Sequence, residues 1–304
     1  MRAGPVIGLS APTLEAAALK AMLQGLVCVA EGRGAAVIVT DAKLDGARQC
    51  ADIDALVREG VDALLVYPTA PPRILRPALD RAVSTGVLLF GHDALDHPAT
   101  ISEFLTPGAE MAALAAELLN ELLGGSGAVC VVGGVPAPQI VERTEGFKRT
   151  LAEQFPGLHV AAEVVNEADD RAGACRTLAP LLEDGPALDG VFTYNDASAL
   201  GAADAIESAG RLGIVIVGCN GEPECLPAIR DGRVAGTVER YPIELGQRAA
   251  TIILDVLTGA LSSSDAPPRV ESEPEVITRT NVDRFRPWLE RTPQPDWSRT
   301  CRFL

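Results

Sequence analysis

Short, mostly apolar runs recur along the chain, at 6–9, 35–39, 63–67, 87–90, 127–132, 159–165, 190–193, 214–218 and 234–238. A strand covered on only one face alternates apolar and polar residues, so uninterrupted runs predict strands covered on both faces. Between them lie segments of helical period, at 14–31, 47–59, 74–84, 110–123, 144–154, 170–183, 197–209, 223–230 and 243–258. In the first of these, Leu14, Ala18, Met22, Leu26 and Val29 fall near one helical face. Strands that alternate with helices predict parallel sheets wound right-handedly, an α/β fold.

The alternation pauses at 101–108, where Thr106-Pro107-Gly108 has the composition of a crossover, and then restarts. Two successive α/β units of similar length imply two lobes. After Gly259 the pattern changes: 261–268 is rich in Ser, Asp and Pro, a turn-forming connection, and Glu275-Val276-Ile277 fits one more strand. The tail from Arg284 has no periodicity and is read as a docked or partly mobile extension. Open parallel sheets bind ligands beyond the carboxyl ends of their strands. The candidate positions are therefore those just after each run: 10–15, Asp41, Pro68-Thr69, Gly91-His92-Asp93, Gly133-Gly134, Tyr194-Asn195-Asp196, Asn220-Gly221-Glu222 and Glu239-Arg240. The competing assignment for such residues is to cap helices or make turns.

Length and charge narrow the field. At 304 residues the chain exceeds what one hydrophobic core usually serves, which supports two domains. The formal net charge of −15 repels phosphate backbones, so nucleic acid is not an expected partner, whereas neutral or cationic small molecules are compatible. No apolar run is long enough to cross a bilayer. The opening Met1-Arg2-Ala3-Gly4-Pro5 leads straight into an apolar run. The expectation is a cytoplasmic protein, or one from which an export signal has already been removed. The seven cysteines are odd in number and scattered, unlike a disulfide framework. Most are expected to be reduced and buried, which tilts the reading toward a reducing compartment.

Several segments resemble, in order and spacing, the ribose-binding type of ABC-transporter substrate-binding protein. The carriers are Ile7-Gly8-Leu9-Ser10-Ala11-Pro12-Thr13-Leu14, the strand 87–93 ending in Asp93, and Glu142-Arg143-Thr144-Glu145-Gly146-Phe147. They continue with Val191-Phe192-Thr193-Tyr194-Asn195-Asp196, Ala199-Leu200-Gly201-Ala202, Ile216-Val217-Gly218-Cys219-Asn220-Gly221 and Ile229-Arg230-Asp231-Gly232. The resemblance spans roughly 5–282 and implies the type I periplasmic-binding-protein fold: two lobes, each a parallel sheet flanked by helices, joined by three hinge crossovers. Those would fall near 103–107, 236–238 and 262–267, giving one lobe of 1–104 with 238–264 and a second of 105–237 with 265–304. It further implies closure around a sugar, polyol or sugar derivative, delivery to an ABC permease, a periplasmic or cell-surface setting, and a monomer without cofactor.

By the same resemblance Asp93 grips ligand hydroxyls, Arg143 is the cleft arginine and Asn195 the cleft asparagine. The set is extended to Asn220, Arg240, Glu15, His92, Asp169 and Tyr194. Carboxylates, amides and guanidinium forks satisfy hydroxyls that both donate and accept. The departures argue against ribose itself. The aromatic pair at the first helix is replaced by Glu15-Ala16-Ala17-Ala18-Leu19, the arginine after the cleft aspartate by Ala94, a second aspartate by Asn220 and a late glutamine by Arg240.

Competing chemistry is thin. His92-Asp93-Ala94-Leu95-Asp96-His97 has the residue types of a metal site, with a loop leaving a strand as the alternative. Gly124-Gly125-Ser126-Gly127 lacks the Lys and Ser/Thr of a phosphate loop, and no nucleophile elbow or dinucleotide fingerprint occurs. The expectation is a binding protein, not an enzyme. The alternative function is the effector domain of a sensory or lactose-repressor-type regulatory system, without its DNA-binding module.

Overall fold

A computed structural model of the protein describes residues 4–304 and resolves two compact units. The first comprises residues to Thr106 together with Pro242–Ser272 and Trp288–Leu304, and the second Pro107–Tyr241 with Glu273–Pro287.

The first unit alternates β1 (Val6–Ala11), α1 (Ala17–Gly32), β2 (Ala36–Asp41), α2 (Gly46–Glu59), β3 (Ala63–Val66), α3 (Pro72–Ser84), β4 (Leu88–His92) and β5 (Thr100–Leu105). The second contains α4 (Gly108–Leu122), β6 (Gly127–Gly134), α5 (Pro138–Gln154), β7 (Leu158–Asn166), α6 (Arg171–Asp184), β8 (Gly190–Thr193), α7 (Asp196–Ser208), β9 (Val215–Asn220), α8 (Cys225–Arg230) and β10 (Gly236–Glu239). The chain then adds α9 (Pro242–Thr258) and β11 (Arg269–Glu271) to the first unit and β12 (Glu275–Thr278) to the second. It ends with α10 (Trp297–Thr300) and β13 (Cys301–Phe303) in the first.

The first sheet has the order β11-β5-β4-β3-β1-β2-β13, with every pairing parallel. The second runs β12-β10-β9-β8-β6-β7 and is parallel except for the antiparallel β10–β12 pair. Both sheets are covered on both faces. Along β1, Ile7, Leu9 and Ala11 enter a core with α1 and α9, while Val6 enters another with α2 and α3. In the second unit Val129 and Val131 meet α4 and α5, whereas Cys130 and Val132 meet α6, α7 and α8. This two-sided burial explains why the strands read as unbroken apolar runs. Helices α1 and α9 pack backbone to backbone. A Cβ on Gly25 would lie 2.1 Å from the Ile243 carbonyl oxygen, and one on Gly246 would lie 2.0 Å from that of Met22.

The structure corrects several boundaries. Instead of three crossovers, the chain changes unit at four places, after Thr106, Tyr241, Ser272 and Pro287. The segments 265–272 and 288–304, expected in the second lobe, belong to the first unit because β11 pairs with β5 and β13 with β2. Trp288, almost wholly buried, packs against Ala21 and Ile243. The expected pause at 101–108 is mostly strand β5. Helix α5 begins at Pro138 rather than near 144, so Arg143 sits within its early turns. No helix among the described residues is long and apolar enough to cross a membrane.

Candidate ligand-binding site

In the second unit, five candidate residues form one hydrogen-bonded set at the carboxyl ends of the strands. Asn195 follows β8 and caps α7, its side-chain oxygen accepting from the Ser198 N–H at 2.9 Å. Its amide nitrogen remains available and donates to Asp169 Oδ1 at 2.7 Å. The capping role and the candidate binding role therefore coexist in one side chain. Asp169 lies on the exposed turn between β7 and α6, at φ +53°, and also accepts a short bond from the Tyr194 hydroxyl. Burial first, and that bond second, push the Tyr194 hydroxyl well above its ordinary pKa, so it stays a donor.

Arg143 reaches the same region from α5. It is 5% exposed, and its Nη1 donates to the Tyr194 carbonyl at 2.9 Å and to Asn220 Oδ1 at 2.8 Å. Asn220 ends β9 at φ +120°, and its amide nitrogen donates to Glu222 Oε1 at 2.8 Å. The Arg240 backbone N–H donates to the Asn220 carbonyl at 3.2 Å, and its side chain is half-buried.

In the first unit, β4 ends in His92, buried and stacked on Tyr67 with ring centroids 4.3 Å apart at 26°. Asp93 follows at φ +61°, its carboxylate partly exposed and 3.6 Å from His92 Nδ1, beyond hydrogen-bond range. Glu15 is not drawn into either set: it is exposed on the loop after β1, its N–H donating to Thr13 Oγ1 at 3.2 Å. His97 meets Asp80 at 3.0 Å and accepts from the Ala99 N–H at 3.2 Å. Among the described residues no group of three or more His, Cys, Asp or Glu is placed to hold a metal ion.

Supporting residues outside the candidate set are Gln49, Glu103 and Asn166, the last of which ends β7 and is open to the strand-end rule. Gln49, wholly buried on α2, donates to Ser10 Oγ and the Tyr67 carbonyl and accepts from the Thr69 N–H at 2.8 Å, clamping the exit of β3. Glu103 on β5 accepts from the Leu95 N–H at 2.9 Å and so steadies the loop after Asp93. Asn166 donates to the Asp170 carbonyl at 2.9 Å and to Ser198 Oγ at 3.0 Å, fixing the Asp169 turn against α7. Gln49 did leave a signal, since it shares the apolar face of α2 with Ile53 and Leu56 at helical spacing.

Two α/β units with polar residues gathered at their strand ends define a class of ligand-binding proteins. Residues 7–261 match the periplasmic binding protein domain, and the chain belongs to that family. It is 32% identical over 275 residues to the ribose import binding protein RbsB of Bacillus subtilis strain 168, covering 88% of this chain and 87% of that one. It is 28% identical over 264 residues to the xylitol-binding protein of Mycolicibacterium smegmatis, covering 86% and 73%. An ABC transporter periplasmic solute binding protein from Actinobacillus succinogenes 130z, solved with bound D-allose, superposes with a TM-score of 0.84 at 22% identity. That match covers 93% of this chain and all of the other, and it speaks for the fold alone. The two curated relatives bear the names of binding proteins, neither that of an enzyme nor of a regulator.

Proposed function

We propose that this protein is the solute-capture component of an ABC importer and binds a small uncharged polyhydroxylated molecule, a sugar or polyol. The observation that carries the reading is the linked set Arg143–Asn220 and Asp169–Asn195–Tyr194, in a chain so similar to a ribose import binding protein. Asn195 and Asn220 offer both donor and acceptor, Asp93 and Asp169 accept from hydroxyls, and Arg143 holds Asn220 in register. In keeping with relatives named as binding proteins, the proposed task is capture and release without chemistry. In this reading the protein works outside the cytoplasmic membrane, in the periplasm or at the cell surface, as a monomer that hands its ligand to a permease.

A thermal-shift screen with D-ribose, D-allose, xylitol and myo-inositol tests this. Ligand at a hundred times Kd stabilises a folded state by about 2.7 kcal/mol, so a binder raises Tm by several degrees. Asp93→Ala should then weaken the best binder by at least about tenfold while lowering the ligand-free Tm only slightly, because the carboxylate is partly exposed. Arg143→Ala should weaken binding and also lower the ligand-free Tm, because it strips two buried acceptors of their donor. No shift with any neutral sugar or polyol would sink the assignment.

A further inference from the structure

Behind the candidate residues of the second unit lies a buried carboxylate that the capture reading leaves without a task. Asp196 is the first residue of α7 and is fully buried. Oδ1 accepts from the Thr237 hydroxyl on β10 at 2.5 Å, and Oδ2 accepts from the Glu222 N–H at 2.7 Å. Thr237 Oγ1 in turn accepts from the Gly221 N–H at 3.3 Å. Two consecutive backbone N–H groups of the loop leaving β9 are thus tied, one directly and one through Thr237, to a single side chain on α7.

That loop needs such a tie. Asn220 stands at φ +120°, where a side chain is strained, and Gly221 follows at φ +72°. A Cβ on Gly221 would lie 2.7 Å from Glu239 Oε2, so the path is open only to glycine. The strand beneath is shaped to admit the brace: a Cβ on Gly218 would come within 2.4 Å of Asp196 Oδ1. In this conformation Asn220 presents Oδ1 to Arg143 and its amide nitrogen to Glu222. Residues strained in this way persist where their surroundings over-determine them.

We infer that Asp196 is the positioning residue that holds the Asn220–Glu222 loop in its binding conformation and thereby sets ligand affinity without touching ligand. The inference rests on the capture reading for its effect on affinity, but its structural half stands on the loop alone.

The test compares wild type with Asp196→Asn, Asp196→Ala, Asn220→Ala and the Asp196→Asn/Asn220→Ala double variant. In ligand-free protein, amide hydrogen exchange across 220–222 should accelerate at least about tenfold in the Asp196 variants, while β6 and β8 keep wild-type protection. For whichever of D-ribose, D-allose, xylitol and myo-inositol stabilises wild type most, calorimetry should show about tenfold weaker binding by Asp196→Asn. The double variant should bind no more weakly than Asn220→Ala, since a residue acting through Asn220 has nothing to position once that side chain is gone. Thr237→Val, which removes the hydroxyl at constant shape, gives a second route if Asp196→Ala fails to fold. Unchanged exchange at 220–222 in the Asp196→Asn and Thr237→Val proteins would overturn the inference. So would full additivity in the double variant. If no probe shifts the wild-type Tm, the capture reading fails, and the exchange comparison still decides the brace.

Discussion

Asp196 is held where a carboxylate is costly. Burial is the main cause that pushes its pKa well above the ordinary carboxylate value, and the charge of Glu222 adds to it, with Glu239 contributing in the same direction. Glu222 is itself raised, again chiefly by burial, and its neighbours include Glu224, Arg240 and Asp169. Cys225 on α8 also faces Asp196. A carboxyl with a raised folded-state pKa contributes stability that is fully present below its unfolded pKa and is lost as pH rises through the folded one. Asp204 and Glu207 work in the opposite sense. Arg171 and Arg233 lower the pKa of Asp204, and Arg233 that of Glu207, so their stabilisation fails only as pH falls below about 4. The expected outcome is a Tm that climbs as pH is lowered from 8 toward mildly acidic values, then falls under stronger acid. In Asp196→Asn the climb should be visibly flatter, because one titrating carboxyl has been removed. A pH–Tm series by calorimetry on both proteins checks this; identical slopes would remove Asp196 as a source of the dependence.

At the scale of elements, what the sequence made legible depended on whether a strand's partners and coverings left a local trace. The central strands did, because burial on both faces writes an apolar residue at every position, as in Ala63-Leu64-Leu65-Val66. Strand β5 did not, because Ser102 and Glu103 interrupt it. The three-residue β11 and β13 left no periodic signal either, since their pairing with β5 and β2 is settled by tertiary contacts far away in sequence. The site divides the same way. Among the candidate residues Asp93, Asn195 and Asn220 were readable as strand-end residues, and Asn166 at the end of β7 was open to the same rule, whereas Glu103 gains its role only from the loop it holds. The C-terminal tail shows the consequence most plainly, since a segment without periodicity supplies a buried anchor. Trp288 is 1% exposed against Ala21 and Ile243. Beside it, Gln24 on α1 donates to the Leu289 carbonyl at 3.1 Å and accepts from Gln294 at 3.2 Å, so the tail is seated by both shape and hydrogen bonds. Trp288→Ala should therefore cost about 3–5 kcal/mol through the cavity it leaves. Denaturant unfolding measures the loss, and hydrogen exchange should place it in α1 and α9 of the first unit. A change under about 1 kcal/mol would show that the tail merely lies on the surface.

Over the whole molecule, the seven cysteines and the proposed location outside the cytoplasmic membrane pull in opposite directions, because an oxidising compartment favours disulfides. All seven are free thiols in the structure, spread over both units. Three are buried, Cys130, Cys219 and Cys225, and four are half-buried, fewer in the interior than the sequence led us to expect. Burial resolves the conflict through chemistry rather than geometry, since the thiolate is the reactive form. Desolvation pushes Cys130, Cys219 and Cys301 up to about 12, and Cys225 is raised well above its ordinary value for the same reason. At neutral pH a thiol of pKa near 12 is ionised in roughly one molecule in 10⁵, too little to attack an oxidant at a useful rate. Cys50 is also raised by burial, with Arg81 pulling the other way and its thiol donating to the Ile74 carbonyl at 3.4 Å. Cys28 is engaged with the Thr292 hydroxyl at 3.3 Å. Thiols held protonated in this way withstand oxidising surroundings without a disulfide framework. Titration of native protein with an aromatic disulfide reagent at pH 7 should therefore leave Cys130, Cys219 and Cys225 unmodified and label the half-buried thiols slowly. After denaturation without reductant, all seven should react. Fewer than seven in protein recovered from the extracytoplasmic fraction would mean that disulfides form there, and that burial does not shield these thiols.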